Sequence, residues 1–147
     1  MSEITVRGAE ERDFEVVSAL LGELGRTPIS EDTRSSFRFE YLRQLHDPSC
    51  AHLVAESAGT VVGFCVIHLR RRLNRTTPEA WIPDLIVTEA ARGTGAGGAL
   101  MARATKIARD WNCHRLCLES SHPRDRAHEF YKGGGMTETG YYYTTDL

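Results

Sequence analysis

DLIVTEAARGTGAGGALM, residues 84–101, runs from an apolar strand ending at Val87 into a turn that holds Gly93, Gly95, Gly97 and Gly98. The residues after it carry apolar side chains at Leu100, Met101, Ala104, Ile107, Ala108 and Trp111, the spacing of one helical face. A glycine-rich turn between a strand and a helix has one strong physical reading. The first N–H groups of a helix have no partner inside it, and the helix dipole favours an anion there. Glycine lets the backbone approach a phosphate oxygen with no Cβ in the way. Arg92 can add a charged hydrogen bond.

Working outward, Ile4–Arg7 reads as a strand, and Phe14, Val17, Leu21 and Leu24 give an apolar stripe to a helix over Arg12–Leu24. Gly25 and Pro28 break that helix, and Ser30 with Thr33 opens a second one carrying Phe37, Tyr41, Leu42 and Leu45. His52–Ser57 and Val61–Leu69 form a predicted hairpin about Ala58–Thr60. A connection with Arg70, Arg71, Arg72 and Arg75 leads to a strand over Ala80–Val87, and after the long helix come a strand at Arg115–Glu119 and a short helix at Arg124–Lys132. Met136–Thr145, with three consecutive tyrosines, is expected to make a last strand or strand pair. The predicted order is β-α-α-β-β-β-α-β-α-β. That is a single α/β (α+β) domain over residues 1–147, with a mixed, mostly antiparallel sheet flanked by helices.

Three anion-binding patterns compete for the turn. Gly93 and Gly98 have the spacing of a P-loop, but Ala99-Leu100 stands where Lys-Ser/Thr is required. Gly93-x-Gly95-x-x-Gly98 fits a dinucleotide fingerprint, yet Thr88–Arg92 separates it from its strand, and 49 residues after Gly98 are too few for the rest of a doubly wound fold. The third pattern, Arg-x-x-Gly-x-Gly at Arg92, Gly95 and Gly97, resembles the signature of the GNAT superfamily of N-acetyltransferases. Downstream, RDRAHEFYKGGGM at residues 124–136 is similar to that family's N-x-x-A-x-x-F-Y-x-x-x-G-F segment. Arg124 replaces the usual Asn and Met136 the final Phe, which puts one coenzyme contact in doubt.

The resemblance implies a GNAT-like fold and transfer of the acetyl group of acetyl-CoA to a primary amine by direct attack in a ternary complex. It places the coenzyme against Leu85, Ile86, Val87, Arg92, Gly93, Thr94, Gly95, Ala96, Gly97, Gly98, Arg124, Ala127 and Tyr131. It makes the Leu85 N–H the oxyanion donor and Tyr131 the general acid. Pro83 gives a local reason for the strand to splay, because proline cannot donate to a ladder. Asp84 is the expected base, with His68 or a water chain as alternatives. His122 and His128 read as surface residues.

The acceptor is less legible. Glu23, Glu31, Asp32 and Glu40 could attract a cationic amine, or be solvated helix faces. The arginine connection could meet an anionic acceptor, or be a polar turn. VRGA at 6–9 with Asp13, IHL at 67–69 and AHEFY at 127–131 are similar to aminoalkylphosphonate and aminoglycoside N-acetyltransferases, which favours a small-molecule amine. A protein N-terminal or lysine acetyltransferase, and a coenzyme A-binding module without catalysis, are the alternatives. The net charge of −2 disfavours nucleic acid, and no apolar run reaches membrane length. Cys50, Cys65, Cys113 and Cys117 form no C-x-x-C pair, so no metal is expected and the thiols read as free and buried. The expected setting is cytoplasmic. The tyrosine run suggests a covered edge in a homodimer.

Overall fold

The computed structural model describes residues 2–120 and 124–147, so His122 lies outside the described residues. These residues group into two compact units, Met1–Cys117 and Leu118–Leu147. The first contains β1 (Ile4–Gly8), α1 (Phe14–Glu23), α2 (Glu31–Leu45), β2 (Cys50–Ser57), β3 (Thr60–Arg70), β4 (Glu79–Val87) and α3 (Ala96–Asp110), and leads into β5 (Arg115–Leu118). The second carries α4 (Asp125–Gly133). The strands make one sheet in the order β1-β2-β3-β4-β5, antiparallel through the first four. β5 is reached from β4 through α3, the crossover that a parallel neighbour requires, so the sheet is mixed.

Local chemistry explains the elements. Ser30 accepts from the Thr33 N–H while Thr33 returns a bond to the Ser30 N–H, a reciprocal cap that starts α2. Ala58 (φ 51°) and Gly59 (φ 78°) are both left-handed, which is the two-residue turn that joins β2 to β3 without splaying them. α1 ends where Gly25 turns left-handed (φ 93°). The Arg26 N–H then bonds the Leu21 carbonyl and the Gly25 N–H the Gly22 carbonyl.

The two faces of the sheet differ. Val54, Phe64, Val66 and Ile86 pack with Phe14, Val17 and Leu20 of α1 and Tyr41 of α2. The alternate residues meet α3, whose buried stripe is Ala96, Leu100, Ala104 and Ala108. Gly63 sets that contact. A Cβ there would stand 3.1 Å from both the Ile86 carbonyl oxygen and Leu100 Cδ1.

One expected element does not form. Residues 136–147 carry no strand, and Tyr141, Tyr142 and Tyr143 are exposed. β-propensity measures fit to a half-buried pleated surface, so a β-prone run with no paired edge stays irregular. Of the four cysteines, all free, only Cys65 is buried; the others are half-buried.

Candidate active site

The site in the first unit is built on β4, where the sequence interrupts its own ladder. Val66 pairs with Asp84 and His68 with Trp81, so Ile82 and Pro83 together face the single residue Ile67. This is the bulge expected from Pro83. Beyond it, the Thr88 N–H bonds the Val62 carbonyl at 2.8 Å. Bonds alternate along an antiparallel pair, so Asp84, Ile86 and Thr88 address β3, and the N–H groups of Leu85 and Val87 point to the opposite edge. On that edge β5 starts level with Pro78, through the His114 N–H bond to the Pro78 carbonyl, and Cys117 reaches the Ala80 carbonyl at 3.4 Å. β5 ends one residue later, at Leu118. Ile86 is committed to the ladder and, with 6 % exposure, to the core.

The glycine turn follows. Gly93 (φ 79°) and Gly95 (φ 92°) are left-handed, and Gly95 is the N-cap of α3. No side chain caps α3 and no acidic residue stands in its first turn. A Cβ at Gly93, Gly95 or Gly98 would meet nothing within 4 Å, so the backbone itself is the exposed surface. Thr94 Oγ1 donates to the Ala91 carbonyl at 2.5 Å, and Arg92 Nε to the Val87 carbonyl at 3.4 Å. Open N–H groups at a helix start, unshielded by side chains, suit an anionic pyrophosphate. The residues present therefore fit acetyl-CoA.

On the α1–α2 face, Arg26 Nε donates to Asp84 Oδ1 at 2.6 Å and its Nη2 to the Pro83 carbonyl at 2.8 Å. The expected base is thus an ion-pair partner as well, a feature no local pattern signals across 58 residues. His68 meets the Trp81 ring edge-on at 5.9 Å between centroids, and the Arg70 guanidinium lies 5.0 Å from that ring. Burial draws the His68 imidazole below its ordinary range against the opposing pull of Asp84. Behind them His52, 8 % exposed, lies between Tyr41 and Phe64, with Nε2 on Gln44 Oε1 at 2.8 Å. Burial lowers its imidazole to about 4.

Several charges that read as acceptor contacts have other partners. Glu23 accepts from Thr88 Oγ1 at 3.0 Å and from the Glu89 N–H at 2.8 Å. Glu40 pairs with Arg43 and Gln44. Glu31 and Asp32 sit in the first turn of α2, where the dipole favours them. Arg70 and Arg72 close on Glu79, which is 2 % exposed. Arg7 grips Asp13 with both terminal nitrogens at 2.8 and 2.9 Å, so the VRGA stretch and Asp13 serve the fold.

In the second unit, Arg124 is the N-cap of α4, and Ala127, His128 and Tyr131 are half-buried along it. The Tyr131 ring contacts Phe130 at 5.4 Å, and its carbonyl accepts from the Met136 N–H at 3.0 Å. Among the described residues no group of three or more His, Cys, Asp or Glu is placed to hold a metal, and no helix is long and apolar enough to cross a membrane.

Comparison with known proteins agrees with this geometry. A sequence profile of the acetyltransferase (GNAT) family matches residues 17–136. A Bacillus subtilis (strain 168) protein, provisionally named [ribosomal protein bS18]-alanine N-acetyltransferase, is 30% identical over 118 residues, covering 76% of this chain and 70% of its own. The crystal structure of a transcriptional regulator from Bacillus halodurans C-125 superposes with a TM-score of 0.90 at 23% identity, covering 99% of this chain and 100% of that one. An aminoglycoside N-acetyltransferase solved with CoA superposes at 0.85 with 16% identity, covering 100% and 96%. The chain belongs to the acetyltransferase (GNAT) family and is an acetyl-CoA-dependent N-acetyltransferase.

Proposed function

We propose that the acceptor is a primary amine of a small molecule, acetylated by direct attack while acetyl-CoA and amine are both bound. The observation that carries this reading is the bulge at Pro83. It sets Asp84 and, through the shifted register, the His68–Trp81 pair on one face of the sheet, with the Leu85 and Val87 N–H groups on the edge of the same strand that faces away from β3. Acetyl-CoA supplies the activated acetyl thioester. The turn Gly93–Gly98 with Arg92 holds its pyrophosphate, and Val87 its pantetheine arm. The Leu85 N–H meets the carbonyl oxygen as negative charge develops on it. An amine must shed a proton to attack. The half-buried His68, held neutral at pH 7 by its surroundings, can take that proton, and so can Asp84 through Oδ2, since Arg26 holds Oδ1. As the C–N bond forms and the C–S bond breaks, Tyr131 gives its phenolic proton to the departing thiolate, the role its place in the family's motif suggests. Arg124 and Ala127 belong to the same coenzyme segment.

The chain is proposed to act as one cytoplasmic acetyltransferase domain, for which the profile match across 17–136 is the support. Homodimerisation through the exposed tyrosine run is the matching proposal for its assembly, and a monomeric mass in solution scattering at micromolar concentration would overturn it.

The B. subtilis relative favours a second reading, a protein N-terminal alanine as acceptor. One experiment separates them: thiol release from acetyl-CoA across a panel of aminoalkylphosphonates, aminoglycosides, polyamines and peptides with an N-terminal alanine. Turnover confined to the small amines supports the proposal, and turnover confined to the peptides replaces it. Tight coenzyme binding with no thiol release on any amine points to a binding module.

A further inference from the structure

The end of α1 holds β4 from the side, at two points. Glu23, the last residue of α1, accepts from Thr88 Oγ1 and from the Glu89 N–H. Three residues on, Arg26 donates to Asp84 and to the Pro83 carbonyl. The two grips fall on either side of Leu85–Val87. Both contacts lie at the surface, and each side chain makes two hydrogen bonds. Glu23 gathers a hydroxyl and a backbone N–H at once, and Arg26 follows the left-handed Gly25 that closes α1, its own N–H tied to the Leu21 carbonyl. Each grip also takes a backbone group: the Pro83 carbonyl at the bulge, and the Glu89 N–H just past the end of the strand.

We infer that Glu23 and Arg26 are positioning residues for the coenzyme: they clamp both ends of the Leu85–Val87 segment and fix the course of the chain into the glycine turn. This rests on the reading of Leu85–Gly98 as the acetyl-CoA site. Its consequence is specific. Loosening the Glu23 grip weakens coenzyme binding more than it slows the chemistry, since Glu23 touches no group that reacts, whereas Arg26 also holds the carboxylate of Asp84 and its loss affects both.

The test measures CoA binding by titration calorimetry, together with KM for acetyl-CoA and kcat at saturating coenzyme. Wild type, Glu23→Ala, Glu23→Gln, Thr88→Val, Arg26→Met and Arg26→Lys are compared, each with its thermal midpoint. The expected result is a Kd for CoA about tenfold higher in Glu23→Ala and Arg26→Met, the size of one charged hydrogen bond. KM rises in parallel, and in Glu23→Ala and Thr88→Val kcat changes less than about threefold. Glu23→Gln and Arg26→Lys recover part of the loss, since each keeps one hydrogen-bonding atom in place. Thr88→Val removes the hydroxyl half of the Glu23 contact from the other partner, and carries the test with a smaller rise in Kd should Glu23→Ala not fold. Wild-type affinity for CoA in both Thr88→Val and Arg26→Met overturns the clamp while leaving the coenzyme site intact. A wild-type protein that does not bind CoA overturns the site, and the clamp with it.

Discussion

The two faces of the sheet are built on opposite principles. Against α3 the contact is dry and small: Gly63, Leu100 and a ladder of alanines bring helix and strands as close as carbon allows. Against α1 and α2 the same strands carry a line of rings, Phe14–Tyr41–His52–Phe64, with the polar atoms of Tyr41 and His52 buried among them. The first face has one task, to hold the start of α3 rigidly at the mouth of the glycine turn. The second must be apolar enough to fold while it finds partners for the Tyr41 hydroxyl and the His52 Nε2 that it buries. The difference teaches that one face gains closeness by removing side-chain volume, and the other gains hydrogen bonds by accepting buried polarity.

The largest effect that would separate the faces is a pH dependence of stability confined to the ring face. His52 has a folded value near 4 against an ordinary 6.5, so the unfolded chain binds a proton that the native one refuses. Stability is then full above about 6.5 and falls as pH drops toward 4, by about 3 kcal/mol over the window. Denaturant midpoints at pH 7 and 4.5 should show this in the wild type. His52→Gln should lose that part of the dependence, and an unchanged slope would remove His52 as its source.

Next comes the dry face. Gly63→Ala puts a methyl group 3.1 Å from a main-chain oxygen and from Leu100, which should cost about 2 kcal/mol and loosen α3 against the strands. A chemical denaturation curve checks it; a neutral outcome would mean that this contact is softer than it looks. Gly95→Ala strains a residue at φ 92° by about 1–2 kcal/mol, and it should raise the KM for acetyl-CoA because the turn changes shape. The smallest expected effect returns to the polar face. Tyr41 donates to the Glu10 carbonyl at 2.6 Å, and Tyr41→Phe should cost about 1 kcal/mol with activity retained.

How much of this could be read in advance follows from range along the chain. The strand, turn and helix over 84–110 were legible because their signals are local: apolar spacing, glycines before a helix, a proline that cannot donate. The bulge at Pro83 was legible for the same reason. Arg26 on Asp84 and Glu23 on Thr88 were not, since each joins residues about sixty apart, and nothing near Glu23 distinguishes it from a solvated helix acid. The last strand failed in the opposite sense. Tyr141–Thr145 has the composition of a strand, but composition cannot provide an edge to pair with. Arg7 and Asp13, part of the likeness to small-amine acetyltransferases, also have a structural task in their bidentate bond.

The N–H groups of Leu85 and Val87 point away from β3, and β5 ends at Leu118. If the pantetheine arm lies there, it adds main-chain-like hydrogen bonds where a protein strand would, and the substrate completes the fold it binds to. Occupancy then registers as stability. Coenzyme at a hundred times its Kd would raise the unfolding free energy by about 2.7 kcal/mol. A melting curve would thus report how much of the protein holds coenzyme, and the protein would be sturdiest with its site filled.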